Sequence, residues 1–421
     1  MSDNRMDSCP VNHTSPAAEL NLLHPDFIKN PYALFKHARA EEPIFYSPET
    51  DMWVITRYDD LKTVMKDVGH FSSEGAFTAA ASVSPEAFRV LGGLDHPMFR
   101  YSAINVDPPL HKRLRASLQK AFSPRQTALL EPQIRQLIHQ LIDDFGPVKQ
   151  AEFMQNFCNP LPLRTICRLL GVPDTDAAKV SRWSAYLVAI QIPGQSPEQQ
   201  RTLGNELLNY YRYVLDLVGH YKQNPAENLI SSMLASQQTV EEPLSDEEIA
   251  GLMCNVVLAG HETTEKLLGN MLHNVLHQRE LWTYLCEHSA NLAAAVDEFI
   301  RHDTSVMGLY RRTTQAVQIG NVTIPANATV WVAYAAGNHD PGYFPEPEVI
   351  DFQRANAGEN LTFGYGIHYC VGASLTKLEV RLVLEELTKR LTSLRLVPDQ
   401  PFEFIPHFVL RSYQELFLEW D

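Results

Sequence analysis

The run from Ser245 to about Gln278 contains no proline and begins with a motif that starts helices. Ser245-Asp-Glu-Glu248 has the spacing of a capping box, in which the serine and the glutamate satisfy each other's free backbone amides. At 1.5 Å per residue the run predicts a helix of roughly 50 Å, long enough to cross a globular domain. Its apolar part, residues 249–259, is too short to span a membrane. We therefore expect a long central helix buried inside protein.

Polar residues interrupt this apolar helix in the segment Ala259-Gly-His-Glu-Thr-Thr264. A local inconsistency of this kind often marks a functional site. Gly260 leaves room where another group lies close, and Thr263 can bond the carbonyl four residues earlier. Taken alone, the segment is equally well explained as a helix irregularity with a surface glutamate at position 262.

A second feature places one cysteine at a predicted helix start, in Phe363-Gly-Tyr-Gly-Ile-His-Tyr-Cys370-Val-Gly372. After Gly372, apolar residues recur at spacings of three and four, which predicts a helix. Free amides and the helix dipole at that position favour a thiolate over a thiol. Cys370 is therefore a candidate iron ligand, and a buried structural cysteine is the alternative.

At this loop the chain resembles the cytochrome P-450 family of haem-thiolate monooxygenases, whose ligand loop reads Phe-x-x-Gly-x-His/Arg-x-Cys-x-Gly. The fixed positions are Phe363, Gly366, His368, Cys370 and Gly372. Five such matches arise by accident in a chain of this length with a probability of about 10⁻⁴, so the motif is specific. The resemblance implies that Cys370 binds the iron of haem b (iron protoporphyrin IX), with Phe363, His368 and Gly372 beside the cofactor.

The central segment is similar to the family motif Ala/Gly-Gly-x-Asp/Glu-Thr, in which the acid and the alcohol assist O–O cleavage. The resemblance implies Glu262 and Thr263 as catalytic residues and Ala259 and Gly260 as haem contacts. Leu258 and Asn255, earlier on the same helix, are expected to line the substrate pocket. Asn255 is either satisfied inside the protein or anchors a polar atom of the substrate, because a buried amide without a partner costs roughly 1 to 3 kcal/mol.

Two basic residues four apart, His111 and Arg115, follow Asp107-Pro-Pro and share one face of a predicted helix. Such a pair suits a buried carboxylate, here a haem propionate, and a solvated basic turn is the alternative. The family uses the same His-x-x-x-Arg pair. Its register also implies that Arg311 binds a propionate and that Met307, Gly308 and Leu309 face the substrate.

Glu298-Phe-Ile-Arg301 resembles the family's Glu-x-x-Arg, whose ion pair is completed by a later arginine, here Arg354. We expect these three residues to fix the cysteine loop rather than to take part in catalysis, because a buried pair is costly to break. The chain departs from the family at Ser305, where proline is usual, at His339, where arginine is typical, and at Ile350, which replaces an aromatic residue.

The remaining elements are predicted from local patterns. Residues 44–56 predict two strands and a turn, followed by a helix, and residues 317–324 predict a hairpin that turns at Gly320-Asn321. Residues 70–109 look irregular, and by family analogy 77–101 form part of the pocket wall. Residues 127–240 predict several amphipathic helices. Residues 195–204 are expected to include a mobile connection that gates access.

The resemblance implies a mainly α fold with small β-sheets (α+β), namely the cytochrome P-450 fold with a long central helix over a buried haem. The 421 residues suffice for one domain, which we place at 19–421 after a flexible segment 1–18. No signal peptide or membrane anchor is visible at the start, which predicts a cytoplasmic protein. Six scattered cysteines argue against disulfides or a zinc site, and a net charge of -15 argues against nucleic acid.

The expected activity is insertion of one oxygen atom from O₂ into an apolar organic molecule, such as a natural-product intermediate. Electrons are expected from a separate donor, a ferredoxin with its reductase, because a second redox domain does not fit in this length. Lys112 and Arg113 would offer that acidic partner a local positive site. The alternatives are a peroxide-driven oxygenase, against which Glu262 and Thr263 argue, and a haem protein that only senses ligands.

Overall fold

The computed structural model describes residues 22, 24–74, 83–238, 241–288 and 291–421, and within them the fold is mainly helical with small sheets. This confirms the predicted fold class. The segment 1–18, expected to be flexible, lies outside the described residues. The longer helices span Pro31–Glu41, Tyr58–Lys66, Leu110–Gln119, Glu131–Asp143, Pro160–Leu170, Ala177–Ala189, Pro197–Gln223, Leu229–Gln237, Asp246–His277, Arg279–Glu287, Leu292–His302 and Ala373–Arg390.

Shorter helical segments connect these elements. They span Pro25–Lys29, Pro85–Leu91, Pro97–Arg100, Pro124–Ala128 and Tyr334–Asn338, with a π-helical turn at Met154–Cys158 and 3₁₀ turns at Asp174–Asp176, Ala357–Glu359 and Gly366–His368. Two of them lie in the region 70–109, which was predicted to be irregular. That prediction was wrong at 85–91 and 97–100, where a proline in the first turn supplies a backbone angle that suits a helix start.

The strands form three small sheets. The strands are β1 (Ile44–Ser47), β2 (Met52–Ile55), β3 (Phe71–Ser72), β4 (Gln150–Glu152), β5 (Leu309–Thr313), β6 (Val317–Ile319), β7 (Val322–Ile324), β8 (Thr329–Val332), β9 (Arg395–Leu396) and β10 (Phe417–Glu419). The largest sheet has the order β1-β2-β8-β5-β3, and only its β2-β8 pair is parallel. The other sheets are β4-β10-β9 and the hairpin β6-β7. Both predicted hairpins, β1-β2 and β6-β7, are confirmed.

The central helix, Asp246–His277, has 32 residues and begins with the predicted capping box. Most of its side chains are buried, and it packs against the helices Pro160–Leu170 and Pro197–Gln223. Three glycines spaced nine residues apart permit this. A β-carbon at Gly251 would meet the Pro97 carbonyl, one at Gly260 would meet Ile166, and one at Gly269 would meet Met154. The glycines therefore set how closely neighbouring elements approach the helix.

The expected mobile connection at residues 195–204 is instead the beginning of the 27-residue helix Pro197–Gln223. Ser196 and Gln199 form a second capping box, and Pro197 occupies the first turn. The sequence Ser-Pro-Glu-Gln has the pattern of a helix start, which the prediction of a mobile connection did not take into account. A β-carbon at Gly204 would lie 2.8 Å from the Ala87 carbonyl oxygen, so this first part of the helix is tightly packed.

Candidate functional site

The cysteine loop bends back on itself before the helix Ala373–Arg390. The Cys370 amide donates to the Phe363 carbonyl at 2.8 Å, which closes the loop. Gly366 has a φ of 74°, and a β-carbon there would lie 2.8 Å from the Met65 carbonyl oxygen. Glycine is therefore required at 366 both by the backbone angle and by the available space.

The sulfur of Cys370 points at the start of that helix, where the backbone amides of Gly372 and Ala373 donate to it. Burial raises the pKa of the Cys370 thiol, while these amides and the nearby Arg115 act to lower it. The helix terminus thus acts in the expected direction, but burial outweighs it and the thiol is the favoured form of the isolated group. A metal cation bound at the sulfur would reverse that balance, because a coordinating thiol is deprotonated.

Four basic side chains converge beside this loop. The rings of His111 and His368 lie 4.3 Å apart. Burial, followed by the charge of Arg311, lowers the pKa of His368 to about 3, and burial followed by Arg115 lowers that of His111. The cluster of His111, Arg115, Arg311 and His368, predicted from separate parts of the sequence, is therefore brought together in space.

The cluster has no paired carboxylate of its own. Arg311 is only 5% exposed, and its guanidinium donates to the Tyr310 carbonyl at 2.7 Å. Across the described ranges, neither Arg115 nor Arg311 forms an ion pair with Asp or Glu, and the Arg115 guanidinium donates to the Tyr369 carbonyl. The nearby Asp107 accepts bonds from Ser72 and Ser73 instead. His111 Nε2 and Arg115 Nε are buried without a hydrogen-bond partner.

A buried cation without a counter-ion is strongly unfavourable. Two unpaired arginines and unpartnered ring and guanidinium nitrogens therefore fit a ligand that carries carboxylates, as the two propionates of a haem do. The donors adjoin the Cys370 loop, where the metal of such a group would bind. The residues present thus fit the cofactor on both its charged edge and its metal.

Replacement of Arg311 by methionine tests this assignment. We expect haem retention to weaken about 10- to 100-fold, because a hydrogen bond to a charged group is worth roughly 1.5 to 3 kcal/mol. The measurement is the rate of haem transfer to an acceptor protein. Arg312→Met is the matched control, since Arg312 neighbours it on β5 but is exposed. Equal transfer rates in the two variants would remove Arg311 from the site.

In the middle of the central helix, a short group of residues is not fully buried. Ala259 is exposed, and Leu258, Gly260 and Thr263 are half-buried, whereas residues 248–257 are buried. Thr263 Oγ1 donates to the Ala259 carbonyl at 3.0 Å, as expected for a threonine inside a helix. The exposed strip is a surface against which a flat cofactor could lie.

Glu262 is buried, so the alternative of a surface glutamate is wrong. Its carboxylate contacts Lys266 Nζ and lies 3.5 Å from His261 Nε2. Burial acts to raise the pKa of Glu262, but the contacts with His261 and Lys266 outweigh it and lower the pKa to about 2. The glutamate is therefore ionised and engaged within its own helix.

The structure shows protein contacts for both Gly260 and Asn255. The side chain of Ile166 would lie 2.7 Å from a β-carbon added at Gly260, so the glycine permits close helix packing on that side while the residue stays half-buried. The Asn255 amide donates to the carbonyls of Met98 at 2.6 Å and Gly251 at 2.9 Å. Both of its N–H groups are satisfied by protein, which favours the structural alternative over substrate anchoring.

Of the segment Met307–Leu309, which was expected to face the substrate, only Leu309 is partly exposed. Met307 is 2% exposed and packs in an apolar cluster with Phe27, Phe35 and Trp331, so its side chain belongs to the core. A β-carbon at Gly308 would lie 2.6 Å from Trp331 Nε1. Leu309 is half-buried, like Leu258. These two leucines remain the candidates for a substrate wall.

The expected ion cluster is present and lies in the core. Arg301 donates to both oxygens of Glu298 at 2.7 and 2.8 Å, and Arg354 Nε donates to the same carboxylate at 3.1 Å. Arg301 also donates to the carbonyls of Asn338 and Pro347 at 2.9 Å. The cluster therefore fastens the segment 338–354, which precedes the cysteine loop, to the helix Leu292–His302.

The structure shows contacts at the site for two residues that the sequence analysis did not identify. Ser73 Oγ lies 2.9 Å from His368 Nε2 and so helps to orient that ring. Lys266 pairs with Glu262 across one helical turn, a spacing that the sequence already showed. No local signal pointed to Ser73, because its contact spans 295 positions of the chain.

The proposed positive site for an electron donor is weaker than expected. Arg113 donates to Glu248 at 3.0 and 3.2 Å and lies 3.8 Å from Glu242, so its charge is offset. Lys112 is exposed. The predicted local positive site therefore keeps the charge of Lys112, while that of Arg113 is offset by partners far along the chain.

Comparisons with known proteins agree with this geometry. A sequence profile of the family described as Cytochrome P450 matches residues 287–414. The chain is 31% identical to cytochrome P450 monooxygenase PikC of Streptomyces venezuelae, over 96% of this chain and 94% of that protein. It is 29% identical to 6-deoxyerythronolide B hydroxylase of Saccharopolyspora erythraea, over 91% and 93% of the two chains.

Among solved structures, the chain is similar to an intact type IV self-sufficient cytochrome P450 monooxygenase. The TM-score is 0.90 at 30% identity, and the match covers 97% of this chain and 53% of that one. Of the helices described here, none is long and apolar enough to cross a membrane.

Proposed function

The chain belongs to the cytochrome P450 family, and from this premise we propose that it inserts one oxygen atom of O₂ into an apolar organic molecule with electrons from a separate donor. The observation that carries the proposal is the group of four basic residues beside the Cys370 loop, of which His111 and Arg311 are buried and none has a paired carboxylate among the described residues. We further propose that the cofactor is haem b, and that residues 19–421 form one haem-binding domain.

In this proposal a haem bound through Cys370 supplies the redox chemistry that activates O₂. His111, Arg115, Arg311 and His368 hold its carboxylates, and Phe363, Gly366 and Gly372 shape the loop around the sulfur. Ala259 and Gly260 line the opposite side. Thr263 holds a proton at Oγ1, and Glu262 is the adjacent carboxylate through which a further proton can reach it.

For the substrate, we propose an intermediate of natural-product biosynthesis. This rests on relatives whose names include 6-deoxyerythronolide B hydroxylase and mycinamicin IV hydroxylase/epoxidase. Leu258 and Leu309, both half-buried, supply apolar contacts for it. A library of such compounds, titrated by the shift of the haem Soret band, would identify a binder.

A turnover experiment tests the proposed function. With NAD(P)H, a ferredoxin reductase and a ferredoxin, the product should contain one oxygen atom from ¹⁸O₂ for each substrate consumed. A protein that binds carbon monoxide but consumes no NAD(P)H with any bound ligand would be a sensor. Product formed with hydrogen peroxide but not with the electron donor would instead indicate a peroxide-driven oxygenase.

Replacement of Thr263 by alanine is expected to uncouple NAD(P)H consumption from product formation. Without the Oγ1 proton in the pocket, reduced oxygen should leave as hydrogen peroxide, and product per NAD(P)H should fall about tenfold or more, since positioned proton transfer contributes roughly 10²-fold or more to rate. Thr264→Ala is the matched control, because Thr264 is buried and lies 3.3 Å from Thr376 instead. Equal coupling in both variants would remove Thr263 from the mechanism.

A further inference from the structure

One carboxylate lies close to the four basic residues of the proposed cofactor site but does not pair with them. Burial and the charge of Arg115 lower the pKa of His111, and the charge of Asp107 opposes them, so Asp107 is near enough to act on this cluster. The His111 amide donates to the Asp107 carbonyl at 3.0 Å, which places the two residues one turn apart. Across the described part of the chain, however, both carboxylate oxygens of Asp107 accept bonds from serines.

Two adjacent serines hold this carboxylate. Ser72 Oγ donates to one oxygen of Asp107 at 2.5 Å, and the Ser73 amide donates to the other at 2.9 Å. Ser72 Oγ also accepts from the Glu74 amide at 3.0 Å, which leaves its own proton for Asp107. Hydrogen bonds to an ionised acceptor are stronger than bonds between neutral groups. The two serines therefore stabilise the carboxylate in a position where it has partners other than the basic residues.

The serines lie where the chain segments that carry the basic residues meet. Ser72 pairs with Arg312 of β5, next to Arg311. Ser73 is 1% exposed, and its Oγ lies 2.9 Å from Nε2 of His368 in the cysteine loop. Together with the carboxylate that they hold, the two serines thus contact every segment of the cluster.

A release of Asp107 would change the charge balance of the cluster. Cations in a site of low dielectric constant attract a nearby carboxylate far more strongly than they do in water. His111 Nε2 is buried without a hydrogen-bond partner, so a freed Asp107 could accept from it. A carboxylate of the chain that paired with the cluster would then compete with the carboxylates of a bound ligand.

We propose that Ser72 and Ser73 are positioning residues that keep Asp107 away from the basic cluster, so that its cations stay available to a ligand with carboxylates. Ser73 also orients His368 toward that ligand. The proposal rests on the proposed function, in which the ligand is haem. It concerns how the cofactor is held and requires no turnover.

Ser72→Ala tests the proposal through haem release. Asp107 should be freed, and haem transfer to an acceptor protein should become about tenfold faster, the effect of weakening one bond to a charged group. The midpoint potential of the haem should fall, because a nearby negative charge disfavours the addition of an electron. Ser393→Ala is the matched control, since Ser393 is also half-buried and accepts from a backbone amide, that of Asp421 at 2.8 Å. Equal transfer rates in the two variants would overturn the proposal.

Addition of Asp107→Asn separates competition from a bracing role. An uncharged amide competes poorly for cations, so the variant with both Ser72→Ala and Asp107→Asn should regain a transfer rate and a midpoint potential close to those of the wild type. If Asp107 only braced the fold, this double variant would release haem at least as fast as Ser72→Ala alone. That outcome would overturn the proposal.

Ser73→Ala shows whether the rescue is specific. It keeps the backbone amide that holds Asp107 and removes the hydroxyl beside His368, so its faster haem release should not be reversed by Asp107→Asn. Reversal in both backgrounds would mean that Asp107→Asn strengthens haem binding in general, which contradicts the proposed competition. A wild type that takes up no haem would refute the proposed function, whereas a haem-bound wild type with an unchanged Ser72→Ala rate would refute only the role of the serines.

Discussion

Replacement of Cys370 by serine is expected to abolish the red-shifted Soret band of the ferrous carbon monoxide complex. That band requires a thiolate ligand, and serine keeps the size of the side chain while removing the sulfur. The loop should otherwise persist, because its closing bond joins the backbone amide of Cys370 to the Phe363 carbonyl. The measurement is the carbon monoxide difference spectrum of the reduced protein, with total haem determined in parallel.

Cys286→Ser is the matched control, since Cys286 is another half-buried cysteine, on the helix Arg279–Glu287. It should keep the full band. A red-shifted band that survives in Cys370→Ser would show that a different residue binds the iron. Loss of the band in both variants would point to general damage rather than to the ligand.

The motif residues were predictable because their chemistry is local. The capping box of the central helix, the helix after Cys370 and the threonine that bonds its own helix each depend on residues within four positions. The propionate cluster was harder, since it joins residues 111 and 368, yet the resemblance supplied both positions. The structure adds that the rings of His111 and His368 lie 4.3 Å apart.

Contacts between distant segments were not predictable. The sequence does not show that Ile166 of a neighbouring helix packs against Gly260. It left two alternatives open for Asn255, whose amide donates a hydrogen bond to the Met98 carbonyl, 157 positions away. Arg113 was expected to form part of a local positive site, and Glu248 pairs with it from 135 positions away. A sequence pattern shows what a side chain can do, and the tertiary structure decides which partner it meets.

Charged side chains are buried near Cys370, on the central helix and around Glu298, and their pairing differs between these places. Near Cys370, basic groups without carboxylates fit an anionic cofactor edge. On the central helix Lys266 contacts the buried Glu262, while the buried Glu265 accepts a hydrogen bond from Asn159. Buried, unbalanced charge costs stability, so the basic groups near Cys370 are best explained as serving a ligand. In the cluster around Glu298, both arginines pair with the carboxylate and also donate to backbone carbonyls, so a structural role is expected there.

Replacement of Glu298 by glutamine should destabilise the protein by about 3 to 5 kcal/mol, because it leaves the buried guanidinium groups of Arg301 and Arg354 without their counter-ion. Glu298 and Arg301 have no exposed surface, and both arginines donate to the same carboxylate. The loss is a large share of the roughly 5 to 15 kcal/mol that stabilises a typical protein. Urea unfolding of the haem-bound protein measures it, with Glu287→Gln, an exposed position, as the control.

A second substitution separates charge from shape at this cluster. Adding Arg354→Met to Glu298→Gln removes one of the two unpaired cations, so part of the lost stability should return if uncompensated charge is the cause. If packing were the cause, the double variant would be less stable than the single one, because the Arg354 bonds to the carbonyls of Pro345 and Val349 are also lost. A Glu298→Gln loss below about 1 kcal/mol, the range of an exposed ion pair, would contradict the structural role.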